Sequence, residues 1–265
     1  MTELLNTFCR GRNIQLLWQP ELETIPDRIA EGFVPIEMAE GTKSFVDFRC
    51  LDHHNDYSHL PSACVTALKF YGTLGSDSPV RLMVNHTDAD CVLTGVTLLG
   101  LLPRKLLERL NPEVGVLDTD PLSVDFGDLP YGNAIRLWKV GMMSTKKSGW
   151  SWLYGMQLFL DIFNHFTYYE GKTGELEERE RARREKAFQD YDKAVTGPSG
   201  KVLLVAPSTV KGYDVQFFRQ RAFPATSLEG WRHWCVVSHV RKVGNVMLSC
   251  PNKEVAERAF GSGGL

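Results

Sequence analysis

The chain has 265 residues, of which 43% are hydrophobic, and a formal net charge of -2. That length and apolar share suit one large domain or two modest ones and exclude disorder as the default state. Near-neutral charge offers no basic face for duplex DNA, while a short, locally bound anionic substrate stays compatible with it.

The first 40 residues mix polar and apolar positions around Pro20, Pro26 and Pro35 and read as short elements leading into the domain. FVDFRCL (45–51) is a strand candidate that ends in DHHND (52–56), and Leu60 to Tyr71 follows with Pro61 at a helix start. A second such unit comes next: VRLMVNH (80–86) as a strand, HTDAD (86–90) as its loop, and CVLTGVTLLGLL (91–102) as a helix. A third is shorter, with EVGVL (113–117) read as a strand running into the turn-forming DTDPLS (118–123).

Trp150 to Tyr169 is aromatic and apolar at helical spacing and is expected in the core, with His165 as a structural histidine. TGELEERERARREKAFQDYDKAV (173–195) is a charged helix, a solvated connection or else an arginine patch for phosphate. GPSG (197–200) breaks the chain, and KVLLVAPS, WCVVSHV, VGNVMLSCP and the helix NKEVAERAFG form a small α/β unit. The expected organisation is a metal-binding domain over 1–195, including the charged helix near 174–194, and a small C-terminal α/β domain over 196–265. The six cysteines form no CxxC pair, so neither a zinc knuckle nor a redox motif is indicated. The N-terminal stretch lacks the order of a signal peptide and no apolar run is long enough to span a bilayer, so a soluble cytoplasmic protein without membrane association is expected.

Strands that release acidic residues into the following loop are the layout of an α/β fold with an open, mostly parallel, Rossmann-like sheet, whose sites lie beyond the carboxyl ends of its strands. Residues 47 to 128 hold Asp47, Asp52, His53, His54, Asp56, His59, His86, Asp88, Asp90, Asp118, Asp120, Asp125 and Asp128, with four of the chain's seven histidines. A thiolate-free set of Asp and His suits Mn2+, with Mg2+, Fe2+, Co2+ and Zn2+ as alternatives. Two ions roughly 3.5–4 Å apart need a bridging carboxylate and separate ligands for each. HTDAD, DTD and DHH would supply these from three loops. Taken singly, DTDP reads more readily as a turn, and Asp56, His59, Asp125 and Asp128 as surface or turn residues.

LDHHN after a strand, together with a His-x-Asp-x-Asp loop after another, resembles the defining motifs of the DHH phosphoesterase superfamily. That superfamily includes manganese pyrophosphatases, exopolyphosphatases, single-strand exonucleases, nano-RNA hydrolases and cyclic-dinucleotide phosphodiesterases. The resemblance implies that His86 and Asp88 hold one metal, that Asp90 and His53 hold the second, and that Asp118 bridges them, with Asp120 an equally placed rival. It implies that His54 meets the substrate phosphate and that Asp52 orients or ligates beside it, these two being the catalytic candidates.

Motif order departs from the family, because DHH here precedes HTDAD and DTD; circular permutation or convergence would account for this. The fourth family acid has only Asp47 and Asp125 as candidates. The C-terminal FGSGGL keeps glycines but lacks the histidine of the family's GGGH loop, and it reads equally as a tail. His239 and Arg241 are the substrate-binding candidates of the C-terminal unit, beside Arg219, Arg221, Arg232 and Lys242. The implied function is metal-dependent hydrolysis of a small phosphorylated ligand such as a nucleotide or short oligonucleotide, by a chain compatible with a homodimer. The alternatives are a metalloenzyme with different chemistry at the same site, which bound iron responding to oxygen would favour, and a non-catalytic ligand-binding module.

Overall fold

The computed structural model describes residues 14–40, 43–45, 51–54, 57, 59–75, 79–119, 124, 126–143, 145–165, 168–169, 173–198, 202–205, 221, 235–240, 245–250 and 255. Two compact units emerge: Met1–Asp120 with Val124–Thr173, and Pro121–Ser123 with Gly174–Leu265. The charged helix, expected to close the first unit, groups by its contacts with the second.

In the first unit, β1 (Ile14–Trp18), β2 (Val34–Ile36) and β5 (Val80–Val84) form a three-stranded parallel sheet in the order β1-β5-β2. The fold is thus α/β with a small open parallel sheet. Central β5 is buried at Val80, Leu82, Met83 and Val84, as a near-continuous apolar run requires when both faces of a strand are covered. The first 40 residues therefore supply two of its three strands, joined by α1 (Ile25–Ala30). Trp18 pairs with Val84 and Ile36 with Val84, so all three strands end at one edge. A short antiparallel pair, β3 (Met38–Glu40) and β4 (Lys43–Phe45), follows β2. The expected strand over 45–51 lies largely outside the described residues.

Behind the sheet edge stand α2 (Ala63–Ala67) and α3 (Ala89–Leu98). Every residue of α3 is buried, the signature of a helix at the centre of a core. Asp88 caps it, its Oδ1 accepting the Cys91 N–H at 3.0 Å.

One expectation fails. EVGVL is not a strand but part of α4 (Arg104–Thr119), so Asp118 sits in the last turn of a helix. The buried side chains Leu107, Leu110, Val114 and Leu117 recur at steps of three and four, and Val116, which a strand would place on the face of Val114, is 38% exposed. Buried Asn111 fastens α4, donating to the Cys64 carbonyl at 2.6 Å and to Thr97 Oγ1 at 3.0 Å.

Helices α5 (Gly132–Met143) and α6 (Gly149–Asn164) complete the unit. A reciprocal cap starts α6: Ser148 Oγ accepts the Ser151 N–H and Ser151 Oγ accepts the Ser148 N–H. Its Trp152, Met156, Phe159 and Ile162 are buried as expected. Trp150 instead is 56% exposed and stacks on Tyr154, and His165 is exposed at the helix end. Gly95 lets α6 approach α3, because a Cβ there would lie 2.4 Å from Trp152 Cη2. Gly95→Ala is expected to destabilise the protein by about 1–3 kcal/mol through overpacking, a loss only partly offset by alanine's helix propensity. Thermal melting checks this, and an unchanged or raised melting temperature would contradict the packing.

The second unit contains α7 (Thr173–Asp192) and a four-stranded sheet of β6 (Val195–Thr196), β7 (Val202–Val205), β8 (Cys235–Val240) and β9 (Asn245–Ser249) in that order. β7 and β8 run parallel and the other pairs antiparallel. Most of NKEVAERAFG lies outside the described residues. No described helix is long and apolar enough to cross a membrane.

Candidate metal centre

The carboxyl edge of the parallel sheet gathers the chemistry. Glu37 is the first residue beyond β2, with a left-handed backbone (φ 47°), and its N–H donates to the Leu51 carbonyl at 3.2 Å. That bond brings the DHH segment beside β2. His86 leaves the end of β5, and its Nδ1 donates to the Glu37 carbonyl at 3.1 Å. A carbonyl only accepts, so this bond fixes the His86 tautomer and turns the Nε2 lone pair outward as a ligand.

Three sets of side chains present ligand atoms within 4.8 Å of one another: Glu37 with His86 and Asp88, Glu37 with His53, Asp90 and Asp118, and Glu37 with His53 and His54. Such groups can hold a metal ion, and Glu37 is common to all three. His53 Nε2 lies 3.0 Å from Glu37 Oε1, 3.1 Å from Asp118 Oδ2 and 3.4 Å from Asp90 Oδ2. One ring N–H cannot satisfy three carboxylates, and among the described residues His53 is their ion-pair partner. Buried Glu37 also keeps Oε2 without a hydrogen bond. An unpartnered buried carboxylate oxygen in a crowd of like charges is costly, and a cation held there relieves it. The donor set thus fits a divalent ion.

Electrostatics carry the same strain. Burial, and then the charges of Asp90 and Asp88, push the Glu37 carboxyl well above the ordinary range. Burial disfavours a charged His53, but Asp118, Asp90 and Glu37 outweigh it and push the ring up to about 12. Burial alone would raise Asp90; hydrogen bonds from His53 and Cys64 instead hold it below the ordinary value. Its Oδ2 accepts the Ala63 N–H and its Oδ1 the Cys64 N–H, both at 2.9 Å, which locks the carboxylate against the start of α2.

Asp52 belongs to none of the three sets. Its Oδ1 accepts both the backbone N–H and the ring Nδ1–H of His54 at 2.9 Å, so it acts through His54, setting that ring's tautomer. His54 is half-exposed, and its ring centroid lies 4.6 Å from His53 and 5.9 Å from His86. Two buried thiols border the centre. Cys64 Sγ donates to the Asn111 carbonyl and Cys91 Sγ is directed to that of Ile36; burial raises both well above an ordinary thiol.

The structure therefore brings together His53, His54, His86, Asp88, Asp90 and Asp118. His59 and Asp128 are exposed and in none of the sets. Asp47, Asp56, Asp120, Asp125, Arg219, Arg232, Arg241, Lys242 and FGSGGL lie outside the described residues. His239 is placed within β8, its side chain outside what is described. The Arg221 guanidinium lies over the Phe188 and Tyr191 rings at 5.3 and 5.9 Å. Glu37 belongs to no motif; its one signal in the sequence is a lone carboxylate between the apolar runs VPI and MA.

Fold and centre together define an α/β protein with a candidate metal site at the carboxyl edge of a parallel sheet. Comparisons with family models, with curated proteins and with solved structures find no match for this chain.

Proposed function

We propose that the chain is a phosphoesterase dependent on two divalent ions, Mn2+ by preference, that hydrolyses a small phosphorylated compound such as a nucleotide or short oligonucleotide. The carrying observation is the position of Glu37, shared by a set with His86 and Asp88 and by a set with His53, Asp90 and Asp118. A carboxylate common to two ligand sets is what a pair of ions requires. The resemblance to DHH phosphoesterases supports the reading, since it distributes His86, Asp88, Asp90 and His53 over two ions in the same way. Glu37 would then stand in the bridging place that the resemblance implies for Asp118 or Asp120, and would supply the fourth acid for which Asp47 and Asp125 are the sequence candidates.

The ions, when bound, supply an activated water and neutralise charge on the transferring phosphoryl oxygens. The chain's own part is positional. Asp90, locked on two backbone N–H groups, and His86, locked on the Glu37 carbonyl, hold their ligand atoms in place without reorganisation. Asp52 accepts the His54 Nδ1–H at 2.9 Å and so orients that ring beside His53 and His86; there it would contact the substrate phosphate, donating from Nε2 in the doubly protonated ring.

The test is a phosphoester panel assayed with metal-free protein resupplied with Mn2+. Hydrolysis is expected to depend on Mn2+ and to be lost in His53→Ala and Asp88→Ala. Metal-loaded protein that releases no product across the panel sinks the proposal.

A further inference from the structure

A cavity of about 540 Å3 lies beside the metal centre, with His86 in its wall. Gln19, Glu21 and Lys147 contribute polar lining, Leu22 and Met38 apolar lining. The sheet explains its place: β1 and β5 are parallel neighbours, so Gln19, the residue after β1, emerges next to the segment that leads to His86. The Gln19 N–H donates to the Val84 carbonyl at 2.9 Å.

Backbone conformation sets the same two places apart. The non-glycine residues with left-handed backbone among those described are Gln19 (φ 46°) and Glu37 (φ 47°), each the first residue past its strand. Such conformations persist where the surroundings enforce them, and they cluster at functional sites. Glu37 is the shared ligand, and Gln19 stands in the cavity wall.

Volume and charge indicate what the cavity takes. Pockets for small organic ligands span roughly 300–1,000 Å3, far more room than one phosphoryl group needs. Apart from His86, this lining carries one cation, Lys147, and one anion, Glu21. An inorganic polyphosphate calls for several cations and is repelled by Glu21. A neutral, hydroxyl-bearing group suits a lining with an amide, an ammonium and a carboxylate, which donates and accepts in equal measure.

We propose that this cavity seats the alcohol portion of the phosphoester, a neutral, sugar-sized organic group, and thereby selects organic phosphoesters over inorganic polyphosphates. Gln19 and Lys147 donate to its hydroxyls and Glu21 accepts from them. The inference rests on the phosphoesterase reading and adds the substrate class.

Two measurements test it on the Mn2+-loaded full chain. Calorimetry compares methylphosphonate with the non-hydrolysable phosphonate isostere of ribose 5-phosphate; the isostere is expected to bind at least about tenfold more tightly. Gln19→Gly, which suits the left-handed backbone and so preserves the fold, should erase most of that advantage and leave methylphosphonate binding unchanged. In hydrolysis, Glu21→Gln should raise the rate on tripolyphosphate relative to ribose 5-phosphate severalfold. Equal binding of the two phosphonates, or preferential cleavage of tripolyphosphate by the unmodified protein, overturns the inference and leaves the phosphoesterase standing. Absence of both phosphonate binding and any phosphoester hydrolysis overturns both.

Discussion

Glu37→Gln is expected to abolish Mn2+-stimulated hydrolysis while leaving the metal-free protein at least as stable as before. The substitution removes the one carboxylate common to all three candidate ligand sets, so on the proposed two-ion reading both ions would lose a ligand at once. Bound ions contribute several kcal/mol to charge stabilisation, so the rate should fall on the order of 10^3-fold or more. Asp88→Asn and Asp118→Asn, each touching one set with Glu37, should cost less. Stability need not fall: burial and the neighbouring Asp90 and Asp88 favour the uncharged form of Glu37, and a neutral amide keeps that uncharged state at every pH. Melting curves with and without Mn2+ separate the effects. The metal-induced rise in melting temperature should be large in the unmodified protein and nearly absent in Glu37→Gln. An undiminished rise in the variant would remove Glu37 from the centre.

The affinity for Mn2+ should increase about tenfold per pH unit wherever the pH is below the folded His53 value of about 12, because an ion ligated by His53 would displace the proton that Asp118, Asp90 and Glu37 hold on that ring. His53 has its folded value raised from 6.5 to about 12. Its contribution to metal-free stability is therefore complete below pH 6.5 and is lost as the pH climbs toward 12. Glu37 adds the same sign, since the folded chain retains its proton above the ordinary 4.5. Metal-free protein should accordingly melt at lower temperature at pH 9 than at pH 6.5, and saturating Mn2+ should flatten that slope. Calorimetric titrations across this range give the dissociation constant directly. A constant independent of pH would show that His53 is not displaced from its proton, and so is not a ligand.

The parts of the centre that sequence revealed are those whose polar residues abut long apolar runs. HTDAD begins two residues past Val84, the end of VRLMV, and its Ala89 and Asp90 already open a helix buried on all sides, so the strand and the helix were legible and the helix start was expected two residues late. DHH was legible as a cluster, although what leads into it lies mostly outside the described residues. EVGVL misled because five residues with valine at alternate positions fit period two. Only the wider spacing of Leu107, Leu110, Val114 and Leu117 shows period 3.6, and Pro112 within the helix argues locally against it. Glu37 was hidden for a different reason. β2 is three residues long, too short for any periodicity. Its partnership with His53 and His86 arises from parallel pairing with β5, which no local pattern encodes.

The buried thiols of Cys64 and Cys91 decide something about which ions the centre admits. Each borders a ligand candidate through its backbone, the Cys64 N–H donating to Asp90 and the Cys91 N–H to Asp88, while its sulfur is directed to a backbone carbonyl and held protonated by burial and by Asp90 or Glu37. A soft ion such as cadmium gains its advantage from thiolate sulfur. Here it would find oxygen and imidazole alone, and the sulfur nearest to it could join only by giving up a proton against the surrounding negative charge. If the site holds a hard cation, the carboxylates that gather it would also keep the neighbouring sulfur closed to soft competitors.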